Sequence, residues 1–428
     1  MRIDELKLTC FRGAVDLSLK LDSQLNVFYG VNGAGKSTVL DALALALSWA
    51  TNRIRHLGSS GRPIDESDIT NGKSTAVIEL RCQIKSGPVD WKLSKSRAGH
   101  AAEDKSSFHQ LSDYARSVQN QLSETSENVN IPLFAYYPVN RAVLDIPLRI
   151  RDKHKFTLLT AYDDALTAGA NFRTFFEWFR EREDLENENR KYINDERKPD
   201  GFSFPDRQLE AVRSALSSFL PEFTNLTVRR NPLRMEVEKQ GRRLSVQQLS
   251  DGEKCMIALI GDMARRLSIA NPTLNNPLSG QGIVMIDEID LHLHPKWQRL
   301  VVPKLQEVFP ECQFIVSTHS AHVITHVHPL SLYVLRQTPQ DMPQNMLAEH
   351  PLESFGKNAD RVLEDLMGLE TTRPDSVEAD LKRLFLSIDE GALHSARSQI
   401  DALRKSIGDD PDLVRAEVLI RRKEILGK

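Results

Sequence analysis

The sequence predicts an α/β fold, and three observations carry that prediction. Apolar strand runs alternate with helical stretches over most of the chain. A glycine-rich loop joins an early strand to a helix, and far downstream a continuous apolar strand ends in two adjacent carboxylates.

Taken in order, Ile3, Leu6 and Leu8 lead to Phe11-Arg12-Gly13, Val15, Leu17, Leu19 and Leu21 alternate, and Leu25 to Tyr29 is a short apolar run closed by Gly30, so residues 1–30 read as strands. A helix starts near Gly35 and runs through LDALALALSWATNRI, because Ala and Leu are strong helix formers although ALALAL also has a period of two. Ala76 to Lys85 and Val89 to Leu93 read as a strand pair across Ser86-Gly87-Pro88, and Ile131 to Tyr137 as another strand. Residues 98–128, rich in Ser, Gln, Asn and Glu, read as a surface excursion. From about 155 to 220 the pattern is helical, with Phe172, Phe175, Phe176 and Phe179 on one stripe and then the charged run REREDLENENRKYINDERK, a solvated helix face on its plain reading. Strands around 226–238, a helix at 251–268, a strand at 282–287, a helix near 295–308 and a strand at 313–317 follow, and the last eighty residues read as helices broken by Gly or Pro.

The chain has 428 residues, enough for two or three structural units. With 40% hydrophobic and 27% charged residues it is neither disordered, collagen-like nor a disulfide-rich mini-protein. Lys+Arg number 56 against 59 Asp+Glu, so no global cationic field draws it to nucleic acid or anionic lipid. The basic clusters Arg53–Arg55, Arg229–Arg234, Arg242–Arg243 and Arg421–Lys423 could contact phosphates, but each alone reads as a solvated face. Cys10, Cys82, Cys255 and Cys312 are scattered without a C-x-x-C pair, which fits a reducing compartment and buried small hydrophobes. The start of the chain has no signal-peptide apolar stretch, and Val39 to Ala50, the most apolar segment, is too short to cross a bilayer and carries Asp41. A cytoplasmic protein without a membrane partner is expected.

Gly30-Val31-Asn32-Gly33-Ala34-Gly35-Lys36-Ser37 fits the phosphate loop G-x-x-x-x-G-K-[ST] and stands after a strand and before a helix, as its mechanism requires. The glycines let backbone N–H groups converge on phosphates, Lys36 supplies a point charge, and Ser37 offers a hydroxyl to Mg²⁺. Asn32, Gly33, Gly35, Lys36, Ser37 and Thr38 are the candidate ATP contacts. Gly282 to Asp287-Glu288 should deliver two acids to a metal site at a strand's C-terminal end, Asp287 holding Mg²⁺ through water and Glu288 orienting or deprotonating the attacking water. Leu249-Ser250-Asp251-Gly252-Glu253 reads as a capping box, with Ser250 as N-cap and Glu253 at the third helical position. Its free helix N-terminus, opened by Gly252, is an anion site.

These motifs give the chain a resemblance to the ABC-type ATPases of the SMC/RecF and overcoming-lysogenization-defect-like class. Leu249 to Glu253 resembles their signature motif, Glu288 to Pro295 (EIDLHLHP) their D-loop, and Ser317-Thr318-His319-Ser320 their switch-histidine segment. The resemblance implies an ABC-type P-loop ATPase head with a helical insertion, and an ATP-dependent dimer in which Ser250 and Gly252 of one copy face the phosphate loop of another. It gives His319 a role at the γ-phosphate and Arg12 one near the nucleotide phosphates. Either Gln83 or the segment Tyr137 to Arg141 supplies the Q-loop. His292 and His294 read better as a structured turn beside Pro295 than as metal ligands.

Two segments are expected: 1–345 as the ATPase domain, its helical insertion at about 150–220, and 346–428 as a helical partner-binding or oligomerisation region. That region, with Phe355-Gly356 and RVLEDLMGLETTRP ahead of a helical hairpin, is similar to the PtuA ATPases of Septu anti-phage defence systems. The similarity implies a higher oligomer, a separate HNH nuclease of the PtuB type as partner, DNA contacted through the complex, and no intrinsic nuclease. Leu384, Phe385, Leu403 and Leu419 are the expected anchors of the docking surface, with the core of a helical subdomain as their other reading. The alternative function is a RecF-like DNA-repair ATPase acting without a nuclease partner. An ABC transporter motor is disfavoured by the HLHP turn, the long insertion and the lack of membrane or coupling features.

Overall fold

The computed structural model describes residues 1–100, 104–125, 128–139, 155–167, 171–194, 202–338 and 345–426. They belong to two compact units, Met1–Lys357 and Asn358–Lys428.

The first unit runs β1 (Arg2–Phe11), β2 (Ala14–Lys20), β3 (Leu25–Tyr29), α1 (Lys36–Arg55), β4 (Thr75–Ile84), β5 (Gly87–Ser96), α2 (His109–Glu124), β6 (Leu133–Tyr137), α3 (Phe172–Asn189) and α4 (Arg207–Phe219). It continues with β7 (Phe223–Arg230), β8 (Leu233–Lys239), β9 (Arg242–Ser245), α5 (Asp251–Ala270), β10 (Gly282–Ile286), α6 (Pro295–Val308), β11 (Cys312–Thr318), α7 (Ala321–Ile324), β12 (Leu332–Gln337) and β13 (Met346–Glu349). Its central sheet has the order β13-β12-β3-β11-β10-β6 and is parallel except at the β12–β13 edge. Every residue of β3, β6, β10 and β11 is buried, which is why these strands read as continuous apolar runs rather than alternating ones. Each fully buried Val, Ile, Leu, Phe or Met side chain there contributes about 1.5–3 kcal/mol. Register pairs Ser317 with Phe28 and Ile286 with both Val316 and Tyr137, so the C-terminal ends of strands far apart in sequence share one edge.

An antiparallel sheet β2-β1-β4-β5 and a three-stranded sheet β7-β8-β9 complete this unit. α5 is buried along almost its whole length, and its Gly261 meets the Phe175 ring of α3.

Several expectations are corrected here. The polar stretch 98–128 contains α2, whose Leu111, Ala115 and Val118 are buried in an otherwise Ser/Gln-rich segment. The charged run on α3 is not simply solvated: Glu183, Glu186 and Asn189 are buried. Glu183 pairs with Arg230 at 2.5 Å and accepts the Val228 N–H, while Glu186 pairs with Arg213 at 3.0 Å and accepts the Asp206 N–H. The end of that run lies outside the described residues. Strands β12 and β13 carry no sequence prediction, and β13 pairs in the central sheet, so the first unit extends past residue 345 to Lys357. Cys82, Cys255 and Cys312 are buried, but Cys10 is only half-buried.

The second unit contains α8 (Ala359–Asp365), α9 (Asp375–Asp389), α10 (Leu393–Ile407) and α11 (Pro411–Leu426). Leu381, Leu384, Ile388, Ala396, Ile400, Leu403, Leu413, Ala416 and Ile420 form its core, with Phe385 and Leu419 packed against it. The four expected docking anchors are therefore engaged in this core. Among the described residues, no helix is long and apolar enough to cross a membrane.

Candidate functional site

From Tyr29 at the end of β3 the chain turns through Gly30 to Gly35 into α1, and Val31, Asn32 and Gly33 at the tip are exposed. Exposed backbone thus sits at the positive end of a twenty-residue helix. Gly35 takes φ 103°, and a Cβ there would lie 2.1 Å from Met346 Sδ, so conformation and packing both require glycine. The Lys36 ammonium is buried in the loop and donates to the carbonyls of Gly30 at 2.8 Å and Val31 at 3.3 Å. Burial pushes its pKa below the ordinary lysine value, against the pull of Asp287, Glu288 and Asp290. Thr38 is half-buried in the first turn of α1.

The hydroxyl of Ser37 donates to Asp287 Oδ2 at 2.8 Å. The other carboxylate oxygen of Asp287 accepts from the Ser317 hydroxyl, which also accepts the Glu288 N–H at 2.8 Å. Three buried parallel strands deliver these groups: α1 follows β3, Asp287 follows β10, and Ser317 lies on β11. Asp287 is 3% exposed, whereas Glu288 is half-exposed at φ 46°, a left-handed conformation uncommon for a non-glycine residue. The Ser37 hydroxyl and the Asp287 carboxylate beside the exposed loop are hard oxygen donors, and they suit Mg²⁺ beside phosphate.

The turn after Glu288 is fixed from several sides. Asp290 Oδ1 accepts from the Thr318 hydroxyl at 2.5 Å and from the backbone N–H of half-buried His319 at 3.3 Å. Gln298 donates to the Leu293 carbonyl at 2.9 Å and accepts from Ser320 at 2.8 Å, tying this turn to the His319 loop. His294 caps α6 by accepting the Lys296 N–H at 3.2 Å. Among the described residues, no group of three or more His, Cys, Asp or Glu is arranged to hold a metal.

Ser250 is exposed and caps α5, its N–H donating to Glu253 Oε2 at 2.8 Å in the reciprocal capping box. Burial raises the Glu253 carboxyl, but Lys239 at 2.5 Å and the Ser250 donors outweigh it and hold the pKa below the ordinary value. Gly252 is buried: a Cβ on it would lie 2.4 Å from the His292 carbonyl oxygen. The close approach that this glycine permits within the chain is thus to the chain's own turn. Among the described residues, no hydrogen bond joins Ser250 or Gly252 to the phosphate loop.

Arg12 donates to Asp41 at 2.6 Å and to Asp68 at 2.8 Å, and Tyr136 donates to the other Asp41 oxygen at 3.0 Å. Asp41 stands one turn after Ser37 on α1, so Arg12 is held close behind the loop by carboxylates. Gln83 pairs in register with Arg2, at the end of β1 away from Arg12, and does not reach the site. The Tyr137 carbonyl accepts the Asp287 N–H at 2.9 Å, so of the two Q-loop candidates only the second lies at the site; its Asn140 and Arg141 are outside the described residues.

Sequence reasoning missed a buried network behind this strand. The Tyr137 hydroxyl donates to Asp262 at 3.0 Å, and Asp262 also accepts from Arg265 at 2.6 Å and Arg266 at 2.7 Å. Arg266 donates in turn to the carbonyls of Ala161 and Asp163, both at 2.8 Å. All four side chains are buried. The signal was present in GDMARRLSIA, where charges interrupt a helix that is apolar on every face.

A phosphate loop whose serine meets the carboxylate of a neighbouring parallel strand, with a capped signature helix packed on the turn that follows, defines an ABC-type P-loop ATPase head of the SMC/RecF-like class. Residues 5–223 match the AAA_23 family model, described as an AAA domain, and the chain belongs to that family of ATPases. It is 29% identical to the Retron Ec83 probable ATPase of Escherichia coli, over 99% of this chain and 87% of the relative. To the Retron Vc95 probable ATPase of Vibrio cholerae serotype O1 biovar El Tor it is 31% identical, over 80% of this chain and 74% of the relative. To the Septu protein PtuA of Bacillus thuringiensis it is 23% identical, over 91% and 89% respectively.

Proposed function

We propose that the chain is the ATP-hydrolysing subunit of an anti-phage defence complex, closing as a dimer around nucleotide and regulating a separate HNH nuclease of the PtuB type. The observation that carries the ATPase part is the Ser37–Asp287–Ser317 chain of hydrogen bonds, which aligns a phosphate loop with a carboxylate pair. End-to-end similarity to a Septu PtuA and to retron ATPases supports the defence part.

In this reading the exposed loop backbone at Asn32 and Gly33 and the Lys36 ammonium bind the phosphates, with Gly35 and Thr38 beside them. Ser37 and Asp287 would hold Mg²⁺, which when bound would neutralise charge on the phosphates. Glu288 orients the attacking water and takes its proton, and His319 senses the γ-phosphate from the end of β11. Arg12 lies close behind the loop with its guanidinium paired to Asp41 and Asp68. Ser250 is exposed at a helix N-terminus, and among the described residues no hydrogen bond joins it to the phosphate loop, which supports a composite site in which the second copy supplies the loop. ATP then becomes part of the dimer interface, and hydrolysis removes the contact that favours closure.

The repair-ATPase reading requires the isolated chain to grip DNA. Arg229 and Arg234 are paired with Glu236, and Arg230 with Glu183 and Asp184, which leaves little free positive charge in that cluster. The deciding experiment is co-purification with the nuclease of the same locus, followed by plasmid cleavage with and without ATP. Cleavage that needs both proteins supports the proposal, and a lone chain that cuts DNA overturns it.

A further inference from the structure

Helix α11 is apolar on two faces. Leu413, Ala416 and Ile420 point into the core of the helical unit. Val414, Val418 and Ile425 form a second stripe at i, i+4 and i+11, with 52%, 60% and 84% of their surfaces exposed. Single exposed apolar residues are ordinary, but three aligned on one helix face form an apolar stripe, interrupted by Arg421. Val418, Arg421, Arg422 and Ile425 line a shallow depression on this stripe.

The charges around the stripe say what fits it. The acids of α11 beside it are already committed: Glu417 pairs with Arg404 at 2.8 Å and Glu424 with Arg397 at 2.7 Å. Arg421, at i+7 on the stripe itself, and Arg422 beside it are exposed and have no ion-pair partner among the described residues. The free charge of the stripe is therefore positive. A second copy of the same face would set arginine against arginine, and a phosphate backbone would leave the valines and isoleucine uncovered. A protein helix with an apolar stripe edged by Asp or Glu satisfies both features at once.

We propose that the Val414–Val418–Arg421–Ile425 face of α11 is the docking seat for such an acidic amphipathic helix of the partner nuclease. This rests on the nuclease-partner reading above. The test uses the full chain co-expressed with the nuclease of its locus, comparing wild type, Val418→Asp and the double variant Arg421→Glu/Arg422→Glu. Both variants are expected to weaken nuclease capture by about tenfold or more, with ATP turnover unchanged. Wild-type capture should also weaken as salt is raised. Undiminished capture by both variants overturns the docking seat while leaving the nuclease-partner reading intact. Failure of the wild-type chain to hold the nuclease overturns that reading and the seat with it. Loss of self-association by light scattering in Val418→Asp, with capture intact, assigns the face to a second copy and overturns the proposal. So does loss of binding to a labelled DNA duplex in the double-arginine variant with capture intact.

Discussion

Ser37, in the first turn of the first helix, donates a 2.8 Å hydrogen bond to Asp287, 250 residues later in the chain. The parallel sheet makes this contact possible: β11 lies between β3 and β10 and carries Ser317, whose hydroxyl holds the other oxygen of Asp287. Loop, carboxylate and the backbone of Glu288 are thereby fixed relative to one another before any ligand arrives.

Removing that support should be felt through the metal. Ser317→Ala leaves Asp287 in place but loses the hydroxyl that orients it, so the Mg²⁺ concentration for half-maximal ATP turnover is expected to rise about 10–100-fold. Ser317→Thr should recover most of the loss. A magnesium titration of steady-state turnover reads this, and identical titrations for Ser317→Ala and wild type contradict it.

Gly252 touches the turn that carries His292. A methyl at this position would sit 2.4 Å from the His292 carbonyl oxygen, too close for any unmoved backbone. Gly252→Ala should therefore shift the turn after Glu288 and lower ATP turnover by about tenfold or more, while equilibrium binding of ATP to the loop stays within about twofold. Equal losses of binding and turnover would place the effect elsewhere.

The buried charge network should dominate local stability. Asp262→Asn removes the only carboxylate hydrogen-bonded to Arg265 and Arg266 among the described residues, and breaking such a pair costs about 3–5 kcal/mol. Tyr137→Phe removes one donor while both arginines still satisfy Asp262, at a cost of about 1 kcal/mol. Urea unfolding should rank the two variants in that order; the reverse order contradicts the assignment.

The same network gives a pH signature. Burial raises the Asp262 carboxyl, but Arg266 and Arg265 outweigh it, so its folded pKa lies below the ordinary 3.8. A depressed carboxylate pKa contributes stability that is present above the unfolded value and is lost as pH falls through the folded one. The difference in Tm between wild type and Asp262→Asn should stay level from about pH 8 to about pH 5 and shrink below about pH 4. A gap that widens on acidification would reverse the sign of the coupling.

How much of this was legible depended on whether the signal was local. The phosphate loop, the strand ending in Asp287-Glu288 and the Ser250 capping box are written in consecutive residues, and each stands on the element predicted for it. Burial of charge was legible only where it is local: Asp262 meets Arg265 and Arg266 within one turn of α5, whereas its link to Tyr137, 125 residues away, and that of Glu183 to Arg230, 47 residues away, are tertiary. α2 was hidden by its composition, since Leu111, Ala115 and Val118 are few among Ser and Gln. The tail leucines carried two readings, and the structure shows the subdomain core: Leu384 and Leu403 are buried in it, and the exposed stripe lies on α11 instead.

The proposed hydrolysis of ATP at the Lys36–Ser37–Asp287–Glu288 site, with the γ-phosphate holding two copies together, is tested most directly by single-turnover ATP hydrolysis by Glu288→Gln, followed in parallel by light scattering. Turnover reduced by about 10²–10⁴-fold, ATP retained, and a dimer that outlives the wild-type one are expected. Unchanged turnover in Glu288→Gln would contradict the proposal.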